Sequence, residues 1–260
     1  MLRGGFGRER LEEFLRRLAG ASRRALLIDY DGTLAPLTAD RQHAEPYGGL
    51  RESLEHLADG GTSVWVVSGR SVAELSRLAG LGGKAELWGS HGLERETREG
   101  VRIAPAPDRS ADSRLDEAEA VLRALGAGPI TERKPYGVAL HARGASPTLY
   151  GVAESVLRRR IADRALFDGL ELQTFDGGVE LRPQGAHKGQ VVDRAFAEFG
   201  PDAAVAYLGD DRTDEDAFEA VAGRGLAVLV RPENRPTRAE AWLRPPGELL
   251  EFLEEWYGTR

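Results

Sequence analysis

The sequence predicts an α/β protein, a parallel sheet interrupted by an inserted α+β module. Three observations carry this. Two apolar runs near the start, Ala25–Ile28 and Ser63–Val67, each stop at a polar motif and give way to helical spacing, the repeat that builds a parallel sheet. A similar unit returns late, where Ala203–Leu208 runs into Gly209–Asp216. Between them the order is helix, strands, helix, strands. The 260 residues suffice for a core with an insertion.

Within Met1–Arg24, the segment Arg10–Leu18 sets Leu11, Phe14, Leu15 and Leu18 on one stripe, which reads as an amphipathic helix. It has no signal-peptide apolar core. No stretch reaches the ~18 apolar residues of a membrane span. Ala25–Ile28 is bounded at once by acids and glycine, so it reads as a buried strand. A polar loop, Ala35–Pro46, precedes a helix over Tyr47–Ala58, where Leu50, Leu54 and Leu57 recur at helical spacing and Gly60-Gly61 stops the run. The strand Ser63–Val67 leads through Ser68-Gly-Arg70 to a helix over Val72–Leu78. Glu86–Trp88 is a third short strand, and Glu94–Ile103, with Gly100 near its middle, is a hairpin.

The prolines of Pro105-Ala-Pro-Asp108 mark a boundary. Arg114–Leu125 and Thr148–Ala162 read as helices, with one or two strands over Ile130–Ala142 between them. Leu170–Phe175 and Val179–Arg182 form a hairpin around Asp176-Gly177-Gly178. The core is therefore expected at 1–105 and 184–260, with the module at 106–183. A helix over Gln190–Phe199, the strand Ala203–Leu208, a strand over Gly225–Val230 and a final helix over Glu248–Tyr257 complete the core.

Composition narrows the function. A net charge of −7 argues against nonspecific nucleic-acid binding. The absence of cysteine removes disulfides, thiolate metal sites and thiol nucleophiles, and is compatible with a reducing cytoplasm. One methionine and one asparagine beside abundant Arg and Glu hint at a thermophilic source, although a GC-rich genome gives the same bias.

The chemistry gathers at strand ends, where open α/β sheets bind ligands. Asp29 and Asp31 lie where the first strand stops. One carboxylate can attack while the other handles the proton. Taken alone, Asp-x-Asp-Gly reads equally well as a turn. An EF-hand loop is excluded, because counting from Asp29 puts Ala35, Leu37 and Asp40 where ligands and the closing Glu belong. Ser68 can donate to a phosphate or cap the next helix. His91 at a strand end is a ligand contact or a structural hydrogen-bonding group. Lys188, one of three lysines in the chain, can neutralise phosphate or lie on the surface. Asp210, Asp211 and Asp214 form a second acidic cluster whose mutual repulsion calls for a cation, and oxygen-only ligands favour Mg²⁺ over Zn²⁺. In the module, Glu132 and Lys134, His141 and Arg143, and Glu180 and Arg182 stand two apart. Each pair shares a strand face, either a solvated surface or a polar floor for a hydroxyl-rich ligand.

Asp-x-Asp-Gly-Thr, a serine after the second strand, a lysine and Gly-Asp-Asp, in that order, resemble the haloacid dehalogenase-like (HAD) phosphatases. Leu27–Leu34, Val67–Arg70, Ser90–Gly92, Glu132-x-Lys134, His141-x-Arg143, Glu180–Pro183, Lys188-Gly189 and Gly209–Glu215 carry a finer resemblance to the trehalose-6-phosphate phosphatases. One departure is Gly177-Gly178 where that family has Gly-Lys. The resemblance implies a Rossmann-like core with a C2-type α+β cap. It implies a Mg²⁺-dependent phosphatase completing trehalose biosynthesis through an aspartyl-phosphate. Asp29 would be the nucleophile and Asp31 the acid and base. Mg²⁺ would sit on Asp29, the Asp31 carbonyl and Asp210. Asp211 and Asp214 would orient waters or Lys188. Lys188 and Ser68 would hold the phosphate oxygens, Gly69, Arg70 and His91 would also bind the substrate, and Glu132, Lys134, Arg143 and Glu180 would read the sugar. A cytoplasmic monomer with a small-molecule substrate, and no nucleic-acid or membrane partner, is the matching expectation. The rivals are a phosphatase for glucosylglycerol phosphate, mannosyl phosphoglycerate or sucrose phosphate, a phospho-accepting receiver module, and a sugar-phosphate binder without catalysis.

Overall fold

The computed structural model describes residues 6–38, 40–106, 108–162 and 168–259. Residues 1–5 of the N-terminal segment and Pro107 of the expected boundary lie outside them. The chain forms two compact units, Met1–Ala104 with His187–Arg260, and Pro105–Ala186.

In chain order, the first unit starts with α1 (Arg8–Gly20), β1 (Arg24–Asp29), α2 (Leu50–Asp59), β2 (Ser63–Val67), α3 (Val72–Ala79), β3 (Ala85–Gly89), β4 (Glu94–Glu96) and β5 (Arg102–Ile103). The second unit holds α4 (Arg109–Ala124), β6 (Thr131–Lys134), β7 (Gly137–His141), α5 (Pro147–Ala162), β8 (Leu170–Phe175) and β9 (Gly178–Pro183). The first unit resumes with α6 (Gly189–Phe199), β10 (Ala204–Gly209), α7 (Glu215–Val221), β11 (Leu226–Val230), β12 (Ala241–Leu243) and α8 (Gly247–Gly258).

The first unit's sheet runs β12-β11-β10-β1-β2-β3-β4-β5. It is parallel from β12 to β3, and β4 and β5 add antiparallel. The chain leaves β1 for β2 on one side, while β10 arrives on the other. That is the switch point at which α/β sheets open a crevice at their C-terminal edge. Register sets the site: Asp29 is level with Val67, just before Ser68, and Ile28 with Leu208, just before Gly209-Asp210. Alternation along β1 feeds two cores. Leu26 and Ile28 pack with Leu11, Phe14, Leu54, Leu75, Phe252 and Trp256. Ala25 and Leu27 pack with Trp65, Val191, Phe196, Tyr207 and Phe218.

The second unit is an antiparallel sheet, β6-β7-β9-β8. Val138, Leu140, Val179 and Leu181 pack on Leu115, Leu122, Ala153 and Leu157 of α4 and α5. Alternation then turns Glu180 and Arg182 to the opposite face.

Several boundaries differ from expectation. α2 starts at Leu50 rather than Tyr47, because Gly49 takes φ 86° and breaks the helix there. α4 starts at Arg109, since the Asp108 carboxylate accepts from the amides of Ser110 (2.9 Å) and Ala111 (3.2 Å). The second unit continues past Pro183 to Ala186, and Gln184 N–H donates to Gly169 O at 2.9 Å. β12, unforeseen, pairs parallel with β11 through Ala241, Trp242 and Leu243.

Candidate active site

Asp29 closes β1 and is buried. Lys188, just before α6, donates from Nζ to Asp29 Oδ1 at 2.5 Å and to Asp214 Oδ1 at 2.7 Å. The Tyr207 hydroxyl donates to the same Asp214 oxygen at 2.6 Å. Asp214 Oδ2 accepts from the amides of Asp210 (3.0 Å) and Asp211 (2.9 Å). Carboxylate oxygens of Asp29, Asp210 and Asp214 lie within 4.8 Å of one another, all buried.

Three buried carboxylates thus face one ammonium. Burial pushes the Asp29 and Asp210 carboxyls well above the usual range; Lys188 pulls both down, while Asp214 and Asp31 push Asp29 up, and Asp29, Asp214 and Asp211 push Asp210 up. Burial pulls the Lys188 ammonium down, but Asp214 and Asp29 win and raise it. Burial, then Asp214, raises Tyr207, which stays a donor.

The group fits a divalent cation. Asp210 Oδ1 is buried without a hydrogen-bond partner among the described residues. Asp210 Oδ2 lies so close to Gly32 (φ 94°) that a Cβ there would meet it at 2.1 Å, so the two acidic loops touch where only glycine fits. Each Asp214 oxygen already accepts two bonds, leaving Asp29 and Asp210 as the carboxylates to bind. An all-oxygen donor set with excess negative charge suits a hard cation.

Asp31 points elsewhere. Its carboxylate takes a two-pronged bond from Arg70, Nε to Oδ2 at 2.7 Å and Nη2 to Oδ1 at 2.6 Å. Arg70, expected on the substrate, is 3% exposed and engaged with this acid. Burial lowers its pKa and Asp31 more than compensates, leaving it raised.

Ser68 does not cap α3. Ser71 does, in a reciprocal box with Glu74, while Ser68 Oγ accepts from Arg70 N–H at 3.1 Å. The turn after β3 braces this loop. Ser90 N–H donates to Arg70 O (2.7 Å) and His91 N–H to Ser68 O (3.0 Å). Ser90 Oγ donates to Glu94 at 2.6 Å. Both Ser90 (φ 48°) and His91 (φ 58°) are left-handed, a conformation costing an ordinary residue about 1–2 kcal/mol. The His91 ring lies against Gly69, where a Cβ would meet it at 2.7 Å.

In the second unit, Lys134 pairs with Glu180 at 2.8 Å, both nearly buried, and Glu132 with His141 at 2.8 Å. Phe175 meets the His141 ring edge-on with centroids 5.8 Å apart. Arg143 is exposed, and Asp211 accepts from Arg212 N–H at 2.5 Å.

Residues 27–242 match the family model described as Trehalose-phosphatase. The chain belongs to that family. A trehalose-phosphate phosphatase of Mycobacterium marinum is 35% identical over 243 residues, 88% of this chain and 60% of the relative. The chain therefore spans 60% of that relative's length. The fold agrees with the C-terminal domain of Candida albicans trehalose-6-phosphate phosphatase (TM-score 0.81, 24% identity, 98% and 99% of the two chains). It also agrees with a haloacid dehalogenase-like hydrolase of Bacteroides thetaiotaomicron (TM-score 0.63, 14% identity, 90% and 99%). The expected HAD-type core with an inserted α+β unit is therefore the observed class.

The departure at Gly178 has a steric cause. Gly178 (φ 153°) pairs with His141 on β7. A Cβ there would lie 2.0 Å from Leu140 O, so a lysine cannot occupy this backbone. Sequence reasoning missed Tyr207, which reads as one more apolar residue of a buried strand. It also missed Arg231 and Arg235, which donate to the Asp210 carbonyl from a polar stretch resembling any solvated loop.

Proposed function

We propose that the chain hydrolyses trehalose 6-phosphate to trehalose and phosphate. The observation that carries this is the buried Asp29 carboxylate held by Lys188 beside the unpartnered oxygen of Asp210, in a chain of the trehalose-phosphatase family. Asp29 attacks phosphorus and forms an aspartyl-phosphate. Asp31 gives its proton to the leaving sugar oxygen, then takes one from the water that cleaves the acyl phosphate. To do so it leaves its ion pair with Arg70 and takes up a proton from solvent, and it returns to that pair once the proton is released. Lys188 and Ser68 hold phosphate oxygens. Asp29, Asp210 and the Asp31 carbonyl would hold Mg²⁺, which when bound supplies positive charge against the repulsion between carboxylate and phosphate.

Glu132, Lys134, Arg143 and Glu180 of the second unit recognise sugar hydroxyls, and the Lys134–Glu180 pair offers both donors and acceptors. Asp211 orients water near the cation. Among the described residues no helix is long and apolar enough to cross a membrane, and we assign the activity to a cytoplasmic monomer. The departure at Gly178 favours, as a second reading, another glycosyl phosphate.

Phosphate release from trehalose 6-phosphate with and without Mg²⁺, beside sucrose 6-phosphate, glucose 6-phosphate and glucosylglycerol phosphate, tests this. Mg²⁺-dependent release from trehalose 6-phosphate, abolished by Asp29→Asn, is expected. Release from a different ester alone moves the substrate and keeps the chemistry. No release from any ester ends the phosphatase reading.

A further inference from the structure

Arg235 lies in the loop after β11, outside every motif named above. Its guanidinium holds the backbone of the second acidic loop. Nε and Nη2 donate to Asp210 O at 3.3 and 3.2 Å, and Nη2 also donates to Asp211 O at 2.8 Å. Arg231 adds Nη1 to Asp210 O at 3.2 Å. The N–H groups of the same two residues donate to Asp214 Oδ2. Asp210 and Asp211 are thus tied through both their amides and their carbonyls, while Asp210 Oδ1 stays without a partner.

Arg235 is itself held. Nη1 pairs with Glu215 Oε1 at 2.5 Å and donates to Pro236 O at 2.9 Å. Glu215 also accepts from the Thr237 hydroxyl and Arg238 N–H, each at 2.8 Å. A side chain so fixed defines a position. A planar fork with several donors can bridge two adjacent carbonyls, which the point charge of a lysine cannot do equally well.

We propose that Arg235 is a positioning residue for Asp210: it presets that carboxylate and so determines how tightly the site takes up a divalent cation. This rests on the metal reading above. Without Arg235, the Asp211 carbonyl loses this donor and the Asp210 carbonyl keeps only that of Arg231, so the Asp210 peptide gains freedom that binding must remove. Partners behind a ligand typically alter metal affinity 10- to 100-fold.

The test is calorimetric titration of substrate-free protein with Mg²⁺ and with Mn²⁺, for the wild type, Asp210→Asn, Arg235→Gln, Arg235→Lys and Glu215→Gln. The expected result is cation binding to the wild type, none to Asp210→Asn, and affinity about tenfold weaker in Arg235→Gln. Arg235→Lys should fall between, and Glu215→Gln, which frees the guanidinium, should lie on the same side. With phosphate release as a second readout, Arg235→Gln should need more Mg²⁺ yet reach near wild-type kcat at saturation, with unchanged KM. Equal cation affinity in wild type and folded Arg235→Gln or Arg235→Lys overturns the inference. No cation binding to the wild type instead overturns the metal reading on which it rests.

Discussion

Replacing Asp214 by asparagine should destabilise the metal-free first unit by about 3 kcal/mol. The carboxylate accepts two bonds on Oδ1, from Lys188 and Tyr207, and two on Oδ2, from backbone amides. An amide offers one oxygen and one NH₂; with its oxygen kept on the two backbone amides, its NH₂ faces Lys188 and Tyr207, and both of their bonds are lost. Hydrogen bonds to charged groups are worth about 1.5–3 kcal/mol each, so losing two gives about 3–6 kcal/mol. Removing one of three crowded anions returns part of that. Tyr207→Phe removes one of the four bonds and should cost about 1.5 kcal/mol. In the Asp214→Asn background it should cost almost nothing, because the bond is already broken. Urea unfolding followed by tryptophan fluorescence reads both, since Trp65 and Trp88 lie in the first unit. With m near 1–3 kcal/mol per M, the Asp214→Asn midpoint should fall by about 1–3 M. A loss below about 1 kcal/mol, or additive effects in the double variant, would refute the view of Asp214 as a saturated anchor.

Three further outcomes follow from the geometry. Gly69→Ala should lower kcat/KM by up to ~10²-fold, since small displacements of positioning groups have effects of that size, and His91→Ala in the same chain should restore part of it by clearing the ring; no rescue counts against His91 as the backstop of that loop. Burial raises the Asp29 and Asp210 carboxyls of the metal-free fold above their unfolded values near about pH 4. The stability linked to these protons is complete below about pH 4 and is lost as pH rises through the folded-state values, so the Tm gained from saturating Mg²⁺ should grow with rising pH, and a constant gain refutes it. Gly178→Lys should destabilise the second unit by more than about 2 kcal/mol through its clash with Leu140 O, measured by urea-dependent proteolysis, rather than improve activity toward trehalose 6-phosphate.

Much of the site was legible because strand ends announce themselves. Ala25–Ile28 has no polar residue to interrupt it, so Asp29 had to stand where it stops. The same logic located Ser68 and Asp210. What stayed hidden depends on direction. Tyr207 belongs to a fully buried strand, and such a strand has no polar-apolar alternation to reveal a hydroxyl in use. Arg70 lay in a recognised motif, yet only the fold shows its guanidinium turned onto Asp31. Ser68 and Ser71 are both good caps by type, and the Glu74 three residues beyond Ser71 was the available signal. β12 is three residues long within a polar stretch, too short for any periodicity to register. Arg235 acts on backbone carbonyls, which leave no trace in side-chain pattern.

The strand order also dictates a history for the chain. β1 pairs with β2 soon after both are made, but its other neighbour is β10, and Arg24 must wait for Ala204. Contacts of such sequence separation form slowly. The strands of the second unit all lie between Thr131 and Pro183, so that unit can finish while the first is half built. During this interval Ala25–Ile28 presents an apolar edge with no strand beside it, the kind that recruits other chains. A chain that stops before Ala204 leaves Asp29 at the end of an incomplete sheet with one apolar edge open, an edge that only β10 covers.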